Sequence, residues 1–374
     1  MKNRWETKTL GQICAVDWGN TDLTKSAYVE GGKFLAVSAA GCDGRIGHKE
    51  HAKHTPVLSA IGAQCGRMFL PEEDFTAIKN TITLTPRDGV CTGRFLYQLL
   101  THVELPKRGA AQPFIAKGDI QKFAVPVPPL AEQQRIVGVL DEAFAGLATA
   151  QANAEKNLQN ARALFESHLQ SVFTQRGKGW KQKTLEEIAT TFGRGKSKHR
   201  PRNAPQLYGG KYPFIQTGDI RNADHFITEY SQTYSEAGLA QSKLWPKGTI
   251  CITIAANIAE TAILTFEACF PDSVIGVVAN PDEADIGFIE YLLQSFKVRI
   301  QAMGKGSAQA NINMGTFENE RFPFPPVTEQ KKIVAKLDAL ATETQRLARL
   351  YEQKLAALAA LKKSLLHQAF TGQL

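Results

Sequence analysis

Pro128-Pro129-Leu130-Ala131-Glu132-Gln133, followed by Ile136-Val137 and Leu140-Asp141, returns 197 residues later as Pro325-Pro326-Val327-Thr328-Glu329-Gln330, Ile333-Val334 and Leu337-Asp338. Over the wider stretches Gly109–Asp141 and Gly306–Asp338, 14 of 33 aligned positions are identical, far above chance. Self-similarity at a fixed offset marks a duplicated structural unit. Trp5, Lys8, Thr9, Leu10 and Ile13 recur as Trp180, Lys183, Thr184, Leu185 and Ile188, at an offset of 175. Phe95-Leu96 and Leu99-Leu100 recur as Phe288-Ile289 and Leu292-Leu293. The offset grows by 22 between the two ends, so the second copy carries its extra residues in its middle. Similar ends around a divergent middle predict one scaffold carrying two different specificities.

Behind each Pro-Pro lies a stretch without proline and almost without glycine, from Pro129 to about Thr174 and from Pro326 to about Phe370. Proline suits a first helical turn, where its missing N–H leaves nothing unpaired. Glu132 and Glu329 fall near the positive end of the helix dipole, and Gly177 and Gly372 are placed to stop the helices. Ile136, Leu140, Phe144, Leu147, Ala154, Leu158, Ala161, Phe165, Leu169 and Val172 step by three, four or seven. So do Ile333, Leu337, Leu340, Leu347, Tyr351, Leu355, Leu358 and Leu365. Heptad spacing sustained this long predicts a coiled-coil pairing of the two helices. At about 1.5 Å per residue, each would make a rod of roughly 65–70 Å.

The regions in front of the helices read as mixed and strand-rich. Val57–Ile61, Thr81–Leu84, Ile250–Ile254 and Val274–Val278 have the β-branched runs of strands, while Phe95–Leu100 and Phe288–Leu293 read as short amphipathic helices. The fold class expected is α+β. Residues 1–128 and 177–325 would be two variable domains, alternating with long helices at 129–176 and 326–374.

The chain has 374 residues, 43% of them hydrophobic, which suits two globular domains and argues against disorder. No run is apolar enough for a membrane span, and the N-terminus lacks the apolar core of a signal peptide. Six scattered cysteines without a C-x-x-C pair fit reduced cytoplasmic thiols rather than a disulfide or zinc framework. A net charge of +8 favours a polyanionic partner. Its densest concentration is Arg194-Gly195-Lys196-Ser197-Lys198-His199-Arg200-Pro201-Arg202, with five cations and no acid.

Three catalytic or metal motifs fail on inspection. Thr190–Ser197 ends like a phosphate-binding loop, yet Thr190 stands where the first glycine must turn the chain. Phe192-Gly193 with Gly195 echoes an adenosylmethionine-binding loop, but no Asn/Asp-Pro-Pro-aromatic motif accompanies it. His48, His51 and His54 lack a further ligand that would complete a tetrahedral set. The expectation is a non-catalytic chain without a metal.

The Pro-Pro-x-x-Glu-Gln pair, each copy opening a long helix behind a variable domain, resembles the specificity subunit of type I restriction–modification systems. Tyr212-Pro213-Phe214-Ile215-Gln216-Thr217-Gly218-Asp219-Ile220 also resembles that family's opening of a target-recognition domain. The first domain has no full Gly-Asp-Ile echo at Phe34–Val37. The resemblance implies two target-recognition domains, each reading half of a split site in double-stranded DNA. It implies helices paired as an antiparallel coiled coil that set the spacer, related by a pseudo-two-fold repeat. Partners would be two modification (methyltransferase) subunits, which carry S-adenosylmethionine, and, in complexes that also cleave, two restriction (translocase/nuclease) subunits. The alternatives are a specificity subunit of another restriction–modification class, or a self-contained DNA-modifying enzyme.

Lys and Arg hold phosphates while Arg, Gln and Asn read base edges. The DNA-facing candidates are therefore Arg194, Lys196, Lys198, Arg200 and Arg202, with Gln216 near bases, in the second half. In the first half they are Arg45, Lys49, Lys53 and Arg67. Arg108 and Lys305, at the joints before Gly109–Gln112 and Gly306–Gln309, are further phosphate candidates. Helix-pairing candidates are Ile136, Leu140, Phe144, Leu147, Leu158, Phe165, Ile333, Leu337, Leu347, Tyr351, Leu358 and Leu365.

Overall fold

A computed structural model describes residues 5–175, 177, 179–199, 201–255, 258–303 and 314–374. The chain divides into two compact units, Met1–Lys156 with Tyr351–Leu374, and Asn157–Leu350. Each unit therefore takes one part of each long helix.

The long helices run Leu130–Thr174 and Val327–Phe370. Their first turns close on the proline carbonyls: Glu132 and Gln133 donate to Pro129, and Glu329 and Gln330 donate to Pro326. The second helix ends as expected. Gly372 takes a left-handed φ of +70°, and the Gln373 N–H reaches back to the Gln368 carbonyl at 2.9 Å. The first helix departs from expectation. It stops at Thr174, and Gly179 (φ +92°), not Gly177, adopts the left-handed conformation.

In the first unit, Glu6–Thr9 pairs antiparallel with Ala124–Val127, the strand that leads into Pro128. The same unit holds a four-stranded antiparallel sheet in the order Cys14–Trp18, Thr81–Pro86, Val57–Ser59, Met68–Phe69. A second sheet orders Gly41–Ile46, Phe34–Ser38, Phe75–Ala77, its last pairing parallel. The helix Gly93–His102 closes the unit, capped by the Thr92 hydroxyl. Its apolar face, Phe95, Leu96, Leu99 and Leu100, joins Leu10, Ile13, Ile82, Leu84, Ile136 and Leu140 in one core. The end of the second long helix enters the same core through Leu366, Ala369 and Phe370, with Phe370 edge-on to Phe95 at 5.7 Å.

The second unit repeats this plan. Lys181–Lys183 pairs antiparallel with Phe322–Phe324, ahead of Pro325. The main sheet orders Ala189–Arg194, Val274–Ala279, Ile250–Thr253, Thr261–Leu264, and adds Phe226–Ile227 as a parallel edge. The companion sheet orders Gln232–Tyr234, Tyr208–Phe214, Ala268–Cys269, Leu244–Trp245. Both extra edge strands lie in the stretch 215–249, much longer than its counterpart 39–56. The closing helix is Ile286–Met303, and its core takes in Leu169 and Phe173 from the end of the first long helix together with Leu337 from the start of the second. The tryptophan of the repeat follows suit. In the first unit Trp5 lies against Gly372, and in the second Trp180 covers Gly177 and donates to Glu329 at 3.2 Å.

All six cysteines are free, and burial pushes the Cys14 and Cys91 thiols up to about 12, too high for a thiolate nucleophile. Among the described residues no helix is long and apolar enough to cross a membrane.

Candidate nucleic-acid interface

The repeated Glu-Gln dipeptide fastens each domain to its helix. Gln133 is fully buried. Its Nε2 donates to the carbonyls of Val90 and Pro128, both at 2.9 Å, and its Oε1 accepts the Thr92 N–H at 2.9 Å. Gln330, equally buried, donates to Glu283 (3.2 Å) and Pro325 (2.8 Å) and accepts the Asp285 N–H (2.8 Å). In both cases a carboxamide ties the loop before the closing helix to the Pro-Pro turn. Only an amide has the paired donor and acceptor this requires. Repetition in the sequence marks both glutamines, but their partners before the closing helix, 41 to 47 residues away, do not follow from it.

The basic candidates of the first unit are largely engaged within the chain. Arg45 forms a two-pronged pair with Glu73, at 2.9 and 3.3 Å, and Lys49 reaches Asp74 at 2.5 Å. Lys53 is exposed, and its backbone N–H donates to Asp74. The Lys49 hydrogen bond, helped by Lys53, holds Asp74 below the usual carboxylate range. Arg67 bonds Gln64 at 3.3 Å and lies 5.5 Å from the Phe69 ring centre. Arg108 pairs with Asp119 at 2.6 Å and closes the Gly109–Pro113 loop through reciprocal backbone bonds to Phe114. Gly109 is required there: its φ is +79°, and a Cβ would meet the Gln112 carbonyl at 2.6 Å.

In the second unit Asp272 collects two of the arginines. Arg202 pairs with its carboxylate at 2.9 Å, and Arg194 donates to its backbone carbonyl at 2.7 Å. Lys196 and Lys198 are exposed, and neither has a carboxylate partner among the described residues. Gln216 is half-buried and bonds Gln232 at 2.6 Å, while its N–H is capped by Asp219 at 2.8 Å. Arg200 and Lys305 lie outside the described residues. Gly195 of the phosphate-loop echo serves packing instead. A Cβ on Gly195 would strike the carbonyls of Phe270 and Pro271 at 2.2 and 2.4 Å.

The three histidines of the run at 48–54 turn to separate neighbours. His48 lies 3.5 Å from Glu50, His51 rests on Phe75, and His54 contacts Glu72 at 2.8 Å. Among the described residues no three metal-ligating side chains converge. The second unit does hold a cavity of about 620 Å³ whose walls include Phe165, Asp224, His225, Tyr291, Asp338 and Gln345. Here His225 Nδ1 sits 2.6 Å from Oε2 of the fully buried Glu290. Burial alone would lower the imidazole pKa; the adjoining Glu290 carboxylate outweighs it and raises it. Tyr291 donates to Asp338 at 2.7 Å. No sequence signal marks this group, because His225 and Glu290 stand far apart in the chain with no shared motif.

None of the helix candidates is exposed. Ile136, Leu140 and Leu337 are buried, and Phe144, Leu147, Leu158, Phe165, Ile333, Leu347, Tyr351, Leu358 and Leu365 are half-buried. Ala154, Ala161 and Thr344 are buried on the same helices.

A family model described as "Type I restriction modification DNA specificity domain" matches residues 2–158 and again 177–354. The chain therefore belongs to that family, with one match to each copy of its repeat. The EcoDI type I restriction enzyme specificity subunit of Escherichia coli is 21% identical over 402 residues, spanning 99% of this chain and 88% of its own length. Two solved structures share the fold over the whole chain. One is a chain from a study of complex assembly and conformational transition of the type I R-M system, with a TM-score of 0.77, 19% identity and 99% of that chain covered. The other is the HsdS subunit from Thermoanaerobacter tengcongensis, with a TM-score of 0.66, 19% identity and 98% covered.

Proposed function

We propose that this chain is the sequence-reading subunit of a type I restriction–modification complex in the cytoplasm. Residues 1–128 and 177–325 act as target-recognition domains, each reading half of a bipartite DNA site. The helices at 129–176 and 326–374 pair as an antiparallel coiled coil, set the spacer and offer docking surfaces to two modification subunits. Two restriction subunits join where the complex also cleaves. The observation that carries this reading is the double family match laid over two units whose shared strands follow the same order and which share the glutamine clamp. The antiparallel pairing is supported by the core membership of the helices. The start of the first helix shares a core with the end of the second, and the end of the first shares one with the start of the second.

The chain contributes recognition and no chemistry; S-adenosylmethionine belongs to the modification subunit. Joining two readers on one scaffold multiplies selectivity, because the second contact is made within an already bound complex. The purified chain is expected neither to bind S-adenosylmethionine nor to methylate DNA, and to support both once its modification subunits are added. Methyl transfer by the isolated chain would overturn the assignment.

A further inference from the structure

Lys243 stands outside the basic run in sequence, yet the fold laces it to that run. The Ser242 hydroxyl donates to the Lys196 carbonyl at 2.9 Å, and the His199 N–H donates to the Gln241 side chain at 3.0 Å. The segment 241–243 is thus bonded to the backbone of 196–199. Lys243 itself lies over an aromatic ring. Its ammonium lies 3.7 Å from the ring centre of Trp245, which is fully buried and stacked on Phe270 at 4.9 Å. Gly276 keeps that place open, since a Cβ there would meet the indole at 2.7 Å.

From these contacts we infer that Lys196 and Lys243 form a two-pronged clamp for one backbone phosphate of the DNA half-site read by the second unit. The inference rests on the DNA-binding reading above and deepens it. Three features favour an anion between them over ordinary surface charge. Among the described residues neither lysine has a carboxylate partner, whereas the neighbouring arginines are engaged by Asp272. The ring beneath Lys243 fixes its ammonium in advance, so less side-chain entropy is lost on binding. Partial burial and the charge of Lys196 both press the Lys243 ammonium below its usual pKa, a repulsion that a phosphate would relieve.

The test uses the full chain assembled with its modification subunits and a duplex carrying the methylated motif, titrated over a range of salt. Because the two lysines would neutralise one phosphate, the Lys196→Gln/Lys243→Gln double variant should lower the slope of log affinity against log salt by about 0.9, and each single variant by a part of that. Lys243→Arg should restore the slope. The recognised bases, mapped by methylation, should not change, because phosphate contacts carry no sequence. Lys211→Gln, which removes an exposed pair with Glu236, should leave the slope unaltered. An unchanged slope in a folded Lys243→Gln complex would overturn the clamp while leaving the DNA-reading assignment standing. Failure of the unaltered complex to bind the duplex would defeat that assignment itself.

Discussion

In the first unit Arg45, Lys49 and Arg108 are each held by a carboxylate of the same unit, while in the second Lys196, Lys198 and Lys243 have none among the described residues. The bases of the two units are otherwise nearly interchangeable: ribbon, Pro-Pro turn, buried glutamine and closing helix recur in the same order. Duplication kept what joins a domain to its helix and released what faces outward. Charge left unneutralised gains most from a polyanion, because an ion pair already made must be broken or shared first. The second unit should therefore supply more of the salt-dependent affinity than the first.

The largest expected effect breaks that asymmetry directly. Replacing Lys196, Lys198 and Arg200 by Ala should reduce the log–log salt slope of DNA binding by up to about 2.7, about 0.9 for each phosphate that is no longer neutralised. Replacing Arg45, Lys49 and Arg108 by Ala should lower it by less than about one, since each already has an acidic neighbour to shed. Equal reductions from the two sets, measured by fluorescence titration, would erase the distinction between the units.

The shared base gives the next effect. Gln133→Ala would strand the Thr92 N–H and two carbonyls in a buried turn, costing about 2–3 kcal/mol. Gln330→Ala should cost about the same by the same principle. Amide hydrogen exchange should show each change loosening its own unit and sparing the other. Loosening of both units by either variant would argue against independent clamps.

The smallest effect separates the units by pH. The imidazole of His225 has a raised pKa in the folded chain through Glu290. Its contribution to stability is fully present below the unfolded value of about 6.5 and is lost as pH rises through the folded value. Exchange protection in the second unit should therefore decline across that window, and His225→Gln should abolish the decline. A pH response surviving that substitution would place its origin elsewhere.

What the sequence made legible follows the range of the interactions involved. Both long helices could be read to within a residue or two, because heptad spacing and the Pro-Pro start are local signals. The strands at Val57, Thr81, Ile250 and Val274 could be read from β-branched runs, but not their order in the sheets, which depends on pairing between distant segments. The same limit applies at the candidate interface. The run Arg194–Arg202 announces itself by density of charge, whereas Lys243 gains its place only through Ser242 and Trp245. The quenching of Arg45 by Glu73 and of Lys49 by Asp74 is likewise tertiary.

The central claim, two readers held at a fixed separation by paired helices, is tested most directly by changing the helices alone. Removing one heptad from each, Ala148–Ala154 and Gln345–Tyr351, preserves the apolar register and shortens each rod by about 10 Å. Methylated bases should then be mapped genome-wide in cells carrying the shortened chain. Both half-site sequences should be unchanged and the spacer between them reduced by about one to three base pairs, the range allowing for tilt of the rod against DNA. Methylation that persists at the original spacer would contradict the central claim.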